Sequence, residues 1–477
     1  MDPVFAFALD LPERGSGQLL RSLHGQLRAA ILDGRLRPGQ RLPSSRAVAA
    51  AYGISRNTAV AAYDLLLSEG YVRTRRASGV QVADAPAPPP RASRPVAAAR
   101  HLAAHWRGAA PPDTAPGGVF RLGVPELAEF PFDIWRRLGA RALRQLARAP
   151  AVYAAAQGQP ALREAVARHV AFARAVSCGA DDIVITSGAQ QAFDLLARIL
   201  VTPGKTVVAV EDPGYPPLRA AFAAAGAQLA PVPVDAEGLQ VAQVPAQARV
   251  ICVTPSHQFP LACAMSPRRR AELLAFARAR DALVIEDDYD GEFRYGERPL
   301  DALQTLDGGE RVFYVGTFSK SLFPGLRLGY VACPAWARAA LVEARRAADV
   351  HGNVPAQDTL ALFIAEGHLA RHVRRMQAVY AQRRSALLHG LERHFGGLLA
   401  PLPSQAGLHL AVAAERLAAA PAWLARPTAG AGVATLRRFQ LQRSRRAGLV
   451  LGFGAADTAA IGPALAELRR RWERDQA

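Results

Sequence analysis

The chain has 58 basic residues, but only two of them are lysines, Lys205 and Lys320, and the other 56 are arginines. Arginine does not lose its proton at any working pH, whereas a lysine amine can do so and then attack a carbonyl carbon. Lys320 follows the apolar run RVFYVGTF (311–318) and is a candidate nucleophile. Lys205 lies in the turn-forming segment VTPGKTV, where we expect an exposed side chain with no chemical role.

Other polar and aromatic residues also follow apolar runs. Asp287 follows the apolar part of the run ALVIEDD, and Tyr215 and His257 follow two further runs, in EDPGY and TPSHQFP. A lone carboxylate at the end of a buried strand is costly unless it meets a cation. The aromatic ring of Tyr215, also at the end of an apolar run, adds a surface on which a planar ligand can stack.

Two segments offer partners for an anion. The segment ITSGAQQAFDLL passes from a strand into a helix through Ser187, Gly188 and Ala189. Free backbone N–H groups at such a helix start, together with the helix dipole, favour a bound phosphate. The segment GTFSKSLFPGLRLGY adds Ser319 and Arg327 as further partners.

These residues stand at the ends of short apolar runs that alternate with helical stretches. Runs that are apolar on both faces indicate a mainly parallel sheet covered by helices. Ligands bind such sheets at the carboxyl ends of the strands, so the sequence predicts an α/β fold with its functional side chains at one edge. The runs are DIVIT (182–186), TVVAVEDP (206–213), RVICVTP (249–255), ALVIEDD (282–288), RVFYVGTF (311–318) and RLGYVAC (327–333).

A lysine amine, a phosphate-binding turn, a buried carboxylate and an aromatic face together predict a site for pyridoxal 5'-phosphate (PLP). Lysine forms an imine with the aldehyde of this cofactor, and a carboxylate keeps its pyridine nitrogen protonated. Taken singly, each residue has an ordinary explanation: Lys320 as a loop cation, Asp287 as a cap and Tyr215 as a core residue. The combination favours the cofactor.

The first 84 residues have a different pattern, that of three helices followed by a basic hairpin. Leucines and other apolar residues at helical spacing over 19–31 predict the first helix. Ser44 and Ser45 are candidate N-caps of the second helix and Ser55 of the third, and YVRTRRASGVQV (71–82) predicts two strands. This order is typical of a winged helix-turn-helix, and a small helical domain with a solvated hairpin is the alternative. The candidate DNA-binding residues are Arg46, Ser55, Arg56, Asn57, Thr58, Arg75, Arg76 and Gly79.

Composition and charge set further bounds. The chain has 477 residues, is 50% hydrophobic and carries a formal net charge of +18, of which residues 1–84 hold only +4. A Pro-, Ala- and Arg-rich stretch at 85–118 predicts a linker between a DNA-binding domain at 12–84 and a second domain at 119–477. Four cysteines without paired spacing, no secretory signal and no membrane-spanning run predict a cytoplasmic protein without a metal.

The run LRPGQRLPSSRAVAAAYGISRNTAVAAYDLLLSEGYVRTRRASGVQV resembles the GntR-type winged-helix DNA-binding domain over nearly its full length. The matching features are the PGxRLPSSR stretch, the SRxT start of the recognition helix, the AYxxL…EGY continuation and the SG turn of the wing. The resemblance implies that double-stranded promoter DNA is a partner, and that Arg46, Arg56 and Gly79 face it.

From about Phe120 onward the chain resembles the fold-type I aminotransferases, and with its N-terminal domain it is similar to the MocR-like regulators, which fuse the two. The resemblance implies that Lys320 carries PLP as a Schiff base, that Asp287 pairs with the pyridine nitrogen and that Tyr215 stacks on the ring. The motifs that carry it are FPFDIWRR (130–137), ITSGAQQA, VEDPGY, TPSHQFP, VIEDDYDGEFRY (284–295), GTFSKSLFPGLRLGY and AEGHLARHVRRMQAVYAQRR (365–384).

The same resemblance implies roles for the remaining residues. Tyr289 and His257 would reach the phenolic oxygen of the ring, and Tyr153 of the partner subunit in a homodimer would reach the phosphate. His257 stands where ordinary aminotransferases usually have asparagine. The C-terminal strand GLVLGFG (448–454) lacks the arginine that many transaminases use to clamp a substrate carboxylate. The implied phosphate ligands are Ser187, Gly188, Ala189, Ser319 and Arg327.

These features predict a transcriptional regulator that binds promoter DNA through its winged helix and senses PLP or an amino compound through its aminotransferase-like domain. A working PLP-dependent aminotransferase with an accessory DNA-binding domain is the alternative, with Lys320, Asp287 and Tyr289 as its catalytic set. A DNA-binding module on an inactive scaffold is the third, and the intact set of three residues argues against it.

Overall fold

The computed structural model describes residues 4–13, 16–75, 79–84, 106, 117–296, 301–414, 431–442 and 447–474. The chain divides into two compact units, Met1–Gly108 and Ala109–Ala477. Arg76 lies outside the described residues, as does the predicted linker apart from residues 106, 117 and 118. Within the described ranges, no helix combines the length and the apolar character needed to cross a membrane.

The N-terminal unit consists of three helices and a two-stranded hairpin, as the sequence predicts. Its elements are α1 (Leu19–Leu32), α2 (Ser45–Tyr52), α3 (Arg56–Ser68), β1 (Val72–Arg75) and β2 (Gly79–Val82). The side chain of Ser44 caps α2 by accepting from the N–H of Ala47, and that of Ser55 caps α3 by accepting from the N–H of Thr58. Gly53 ends α2 with a φ of +62°, which permits the tight turn into α3.

The core of this unit lies between α1 and α3. Leu23 and Leu27 of α1 and Leu66 of α3 are fully buried and belong to one cluster. The hydroxyl of Tyr63 donates to the carbonyl oxygen of Pro43 at 2.8 Å, which ties the start of α2 to α3. This packing fixes the orientation of the two helices of the helix-turn-helix.

The second unit is built around an eight-stranded sheet in the order β3-β10-β9-β8-β7-β4-β5-β6. Neighbouring strands are parallel, except that β10 is antiparallel to both of its neighbours and β6 is antiparallel to β5. The strands are β3 (Ile183–Thr186), β4 (Val207–Asp212), β5 (Gln228–Asp235), β6 (Gly238–Leu239), β7 (Ala248–Val253), β8 (Leu283–Asp288), β9 (Val312–Thr317) and β10 (Gly329–Ala332).

Helices cover both faces of this sheet, as expected for strands that are apolar on both sides. Val208 and Val210 of β4 belong to a cluster with Phe193, whereas Ala209 between them belongs to a cluster with Leu273 on the other face. The helices are α4 (Phe132–Leu146), α5 (Pro160–Arg174), α6 (Ala189–Leu200), α7 (Pro216–Ala224), α8 (Pro267–Arg280), α9 (Leu303–Asp307), α10 (Arg338–Asp349), α11 (Val354–Ala365), α12 (His368–Phe395) and α13 (Thr458–Arg474).

A second, smaller sheet of the order β11-β12-β14-β13 completes this unit. It packs its apolar side chains with α12 and α13 in a separate cluster, in which Leu410, Leu451, Leu387 and Leu465 are buried. Its strands are β11 (Ala400–Pro401), β12 (His409–Ala413), β13 (Ala434–Thr435) and β14 (Gly448–Gly452).

Candidate cofactor site and nucleic-acid interface

The carboxyl ends of five strands meet at one edge of the large sheet. Strands β4, β7, β8 and β9 are parallel neighbours, and β3 runs in their direction because both β3 and β9 are antiparallel to β10. The segment that leads into β10, which includes Arg327, therefore reaches the same edge. This arrangement brings the predicted strand-end residues to one side of the sheet.

Lys320 lies in the loop that follows β9, and its side chain is half-buried. Its Nζ atom donates to the carbonyl oxygen of Gly123 at 2.7 Å. Burial lowers the pKa of Lys320, while the carboxylates of Asp290 and Asp287 act in the opposite direction. Gly123 has a φ of +67°, and a Cβ atom there would lie 2.9 Å from Nζ, so the glycine leaves room for the amine.

Asp287 stands in β8 with a side chain that is only 3% exposed. Its Oδ1 atom has no hydrogen-bond partner among the described residues. Burial raises the pKa of Asp287 well above its ordinary value, and the nearby carboxylate of Asp288 adds to this effect. An isolated buried carboxylate is expensive, so this oxygen is suited to a cationic N–H donor such as a protonated pyridine nitrogen. The site therefore fits PLP.

The predicted phosphate-binding segment forms the start of α6. Gly188, with a φ of +80°, immediately precedes the helix, and the Nη2 atom of Arg327 donates to the carbonyl oxygen of Ser187 at 2.9 Å. A Cβ atom on Gly188 would lie 2.9 Å from that guanidinium. Nearby, the Thr317 hydroxyl donates to the Oγ atom of Ser319 at 3.1 Å. Arg327 and the first turn of α6 together offer a cation and free N–H groups to an anion.

Aromatic and imidazole rings form the remainder of the cluster. Tyr215 packs edge-to-face on Phe259, with ring centroids 5.3 Å apart, and burial raises the pKa of Tyr215 to about 12. The hydroxyl of Tyr289 lies 2.9 Å from Nδ1 of His257. That nitrogen is also 3.1 Å from the carboxylate of Asp290. The predicted phenolic-oxygen pair, Tyr289 and His257, is thus in mutual contact.

Sequence reasoning missed three residues of this cluster. Asp290 directly follows Tyr289 in the EDDYD motif, so its acidic side chain was a usable signal. His409 lies at the start of β12, and its ring centroid is 4.7 Å from that of His257. Gly123 contributes a backbone carbonyl, which no residue-type pattern reveals.

Three potential metal ligands occur together in this cluster. Single ligand atoms of His257, Asp290 and His409 all lie within 4.8 Å of one another. However, Nδ1 of His257 is hydrogen-bonded to Asp290, and Nε2 of His409 lies 3.2 Å from the carbonyl oxygen of Pro260. These hydrogen bonds already orient both rings, and we do not assign a metal to the cluster.

Tyr153 does not take part in the cluster within the described part of a single chain. Its side chain is 83% exposed, and its ring packs against His351 with centroids 5.9 Å apart. Among the described residues, the hydrogen bonds and ring contacts that connect the cluster do not include Tyr153. Its predicted role in a partner's site stays a prediction.

The N-terminal unit presents its candidate DNA contacts at two helix starts. Arg46 lies in the first turn of α2, Arg56 and Asn57 in the first turn of α3, and all three side chains are exposed. In the part of the chain that the structure describes, Arg46 and Arg56 form no ion pair. Ser55 and Thr58 are hydrogen-bonded to each other through their hydroxyl oxygens, 2.8 Å apart, in the cap of α3.

The wing is described in part. Arg75 ends β1 opposite Gly79, which begins β2 with a φ of +77°. Arg73, in the same strand, pairs with Asp84 at 2.8 Å, so its charge is partly neutralised. The DNA contacts predicted for the wing stay predictions.

Comparison with known proteins assigns a family to each unit and finds relatives that contain both. Residues 119–434 match the family model of aminotransferase class I and II, and residues 20–82 match that of bacterial regulatory proteins, gntR family. The chain is 36% identical to the probable rhizopine catabolism regulatory protein MocR of Rhizobium meliloti, over 94% of this chain and 92% of that protein. The chain belongs to the MocR-like transcriptional regulators.

Other regulators resemble this MocR-like chain over most of their length. The pyridoxine biosynthesis transcriptional regulator PdxR of Corynebacterium glutamicum is 32% identical over 93% of each chain. The regulator TauR of Rhodobacter capsulatus is 38% identical over 82% of each chain. The predicted fusion of a GntR-type domain with an aminotransferase-like domain is therefore confirmed.

Solved structures match the second unit. The kynurenine aminotransferase of Pyrococcus horikoshii, a complex with PMP, is 27% identical, with a TM-score of 0.68 over 75% of this chain and 91% of that one. The α-aminoadipate aminotransferase LysN of Thermus thermophilus, complexed with N-(5'-phosphopyridoxyl)-L-leucine, is 26% identical with a TM-score of 0.66, over 75% of this chain and 92% of that one. These neighbours confirm the predicted fold-type I class, whose members bind PLP.

Proposed function

We propose that this MocR-like regulator binds PLP at the edge of its large sheet and promoter DNA through its winged helix. The observation that carries the cofactor assignment is the combination of Lys320 and Asp287. The amine has its pKa lowered by burial, and the carboxylate has a fully buried oxygen without a partner in the described chain. A ligand with an aldehyde and a cationic ring nitrogen would engage both groups.

The residues of this chain would hold the cofactor from several sides. Lys320 would bind its aldehyde carbon, Asp287 would accept from its ring nitrogen, and Tyr215 would stack on the ring. Bound PLP supplies a reactive carbonyl group and an aromatic ring that takes up electrons. The phosphate would be held by Ser187, Gly188, Ala189, Ser319 and Arg327.

The DNA-binding part of the proposal rests on the exposed first turns of α2 and α3. An arginine in the first turn of a recognition helix can pair with guanine in the major groove, and one at the preceding helix can contact a phosphate. Arg56 and Arg46 are placed for these two roles. We assign the segment 85–118 to a linker between the domains 12–84 and 119–477, and the protein to a cytoplasmic homodimer in which Tyr153 reaches the partner's phosphate site.

Regulation requires that the two sites are coupled. A ligand changes DNA affinity only if it binds more tightly to one of two states of the protein. The proposed effector is PLP itself or an amino compound that displaces Lys320 from it. PLP and such an amino compound would both act through an amine that can lose its proton, which Lys320 has and the arginines of the chain lack.

A DNA-binding assay with and without PLP tests the whole proposal. We expect the full-length protein to bind the promoter region beside its own gene, and added PLP to change its apparent affinity. Lys320→Ala should bind the same DNA but respond weakly or not at all. Equal affinity of the wild type with and without PLP would refute the coupling, and no binding to this DNA would refute the regulatory assignment.

The alternative function, a PLP-dependent aminotransferase, is favoured by the presence of Lys320, Asp287 and Tyr289 in one cluster. It predicts transfer of an amino group from an amino donor to a keto acid at ordinary enzyme rates. Measured turnover that disappears in Lys320→Ala would support it. A wild-type protein that binds PLP without such turnover would favour the sensor.

A further inference from the structure

His257 is a buried histidine that contacts one carboxylate and one hydroxyl group near Lys320. Nδ1 of His257 lies 3.1 Å from each carboxylate oxygen of Asp290 and 2.9 Å from the hydroxyl oxygen of Tyr289. The side chains of His257 and Asp290 are 1% and 2% exposed. Three oxygen atoms from these two groups therefore surround one ring nitrogen, which can carry only one hydrogen atom.

The carboxylate determines where that hydrogen lies. Equal distances from Nδ1 to both oxygens of Asp290 are those of an N–H donor shared between two acceptors. The N–H of Leu408 also donates to Asp290, at 3.3 Å, so that the carboxylate is surrounded by donors. Nδ1 of His257 is then protonated, and the Tyr289 hydroxyl faces a donor. Its own hydrogen atom is consequently free to point to another acceptor.

The opposite nitrogen of the same ring is also left open. Nε2 of His257 is buried and has no hydrogen-bond partner among the described residues. Burial lowers the pKa of His409, the neighbouring ring, well below its ordinary value, so His409 adds no positive charge. Gly407 makes room for the pair, because a Cβ atom there would lie 2.0 Å from the His257 ring and 2.5 Å from Asp290.

We propose that Asp290 is a positioning residue that fixes His257 with its hydrogen on Nδ1, so that Tyr289 keeps its hydroxyl hydrogen for the phenolic oxygen of bound PLP. This inference rests on the proposed cofactor site. The charge of Asp290 is also felt at Lys320, where it opposes the effect of burial on the pKa more strongly than Asp287 does. The loss of this charge should therefore disfavour a protonated nitrogen at position 320.

Other titratable groups act on the same cluster and set the background of any pH titration. They contribute equally in the wild type and in a variant of Asp290, so that a difference between the two reports on Asp290. These groups are Glu211 of β4, Asp287 and Asp288 of β8, Lys320 after β9, Arg327 before β10 and His409 of β12.

The test is a spectrophotometric pH titration of the visible absorbance of the PLP-loaded, full-length protein. Asp290→Asn keeps the size of the side chain and an oxygen that accepts from Leu408, but removes the charge. We expect the midpoint of the titration to fall by about one pH unit, because a nearby anion favours the protonated form. Asp212→Asn is the matched control, since that carboxylate accepts from the N–H groups of Leu441 and Gln442 instead.

A second variant separates positioning from charge alone. If Asp290 acts through His257, Asp290→Asn should shift the midpoint less in a His257→Asn background than in the wild type. An equal shift in both backgrounds, or an unmoved midpoint in Asp290→Asn, would overturn the inference while leaving the cofactor site intact. A wild-type protein without visible absorbance after loading would overturn the cofactor assignment, and this inference with it.

Discussion

The two units of this protein use charge in opposite ways. In the winged-helix unit, Arg46 and Arg56 are exposed at helix starts and have no ion-pair partner in the described chain. In the aminotransferase-like unit, the charged groups of the cluster, such as Asp287 and Asp290, are 3% and 2% exposed. The first arrangement keeps its cations in water, and the second keeps its carboxylates out of it.

The difference follows from the ligands that the two units are proposed to bind. DNA is a long polyanion, and binding releases its counterions, so surface cations suffice and the interaction depends on salt. A small cofactor must be oriented by a few groups whose pKa values depend on burial. The net charge of +18 therefore says little about the DNA site, because residues 1–84 contribute only +4 of it.

The largest expected effect concerns the buried site. Lys320→Ala should abolish the visible absorbance of the PLP-loaded protein, because no other amine lies in the cluster that the structure describes. Lys205→Ala is the control, since Lys205 is exposed and lies in the turn before β4. An absorption spectrum of each purified variant after incubation with PLP checks the prediction. Retained absorbance in Lys320→Ala would remove the basis for the contrast between the units.

The exposed site should give a smaller and salt-dependent effect. Arg56→Ala should weaken promoter binding by about 1–3 kcal/mol, with a steep decline of wild-type affinity as salt is raised. Fluorescence anisotropy with labelled DNA measures both. Arg35→Ala is the matched control, because Arg35 is an exposed arginine of the same unit that pairs with Asp33 at 2.7 Å. Equal losses in the two variants would mean that bulk charge, rather than the recognition helix, binds the DNA.

The smallest effect concerns the scaffold of the exposed site. Ser55→Ala removes the cap of α3 and should cost about 1 kcal/mol of local stability. Hydrogen exchange at the Thr58 amide in the full-length protein should then be about fivefold faster. Ser68→Ala is the control at the other end of α3, where the hydroxyl donates to the carbonyl oxygen of Leu65. Unchanged exchange in Ser55→Ala would show that this surface does not depend on its cap.

The strand-end residues of the proposed cofactor site could be predicted because parallel strands carry their own signal. An apolar run followed by a polar residue places that residue at the carboxyl edge, as seen for Asp287 and Lys320. The capping serines of the winged helix were predicted for an equally local reason. Contacts made by backbone atoms or by distant segments carry no such signal, as Gly123 and His409 show.

Strand β5 is the longest strand of the large sheet, and its absence from the predicted runs has a physical reason. Strand β5 contains Pro231 and Pro233, which usually argue against a strand because proline lacks an N–H donor. The structure pairs residues 228–233 of β5 with β4, whereas β6 pairs only with Val234 and Asp235 of β5. Residues two positions apart in a strand direct their backbone groups to the same side, so Pro231 and Pro233 face the same way. The carbonyl oxygen of Pro233 accepts from the N–H of Gln240, on the side of β6, away from β4. Their missing donors therefore face the open edge.

The contrast between the two lysines has a practical consequence for protein chemistry. A lysine-specific protease has only two cleavage points in this chain, one in an exposed turn before β4 and one in the half-buried loop after β9. Chemical reduction that fixes a carbonyl compound onto Lys320 would remove the second point and join two peptides into one. Peptide mass alone would then report occupancy of the site, without a chromophore and without knowledge of the DNA target.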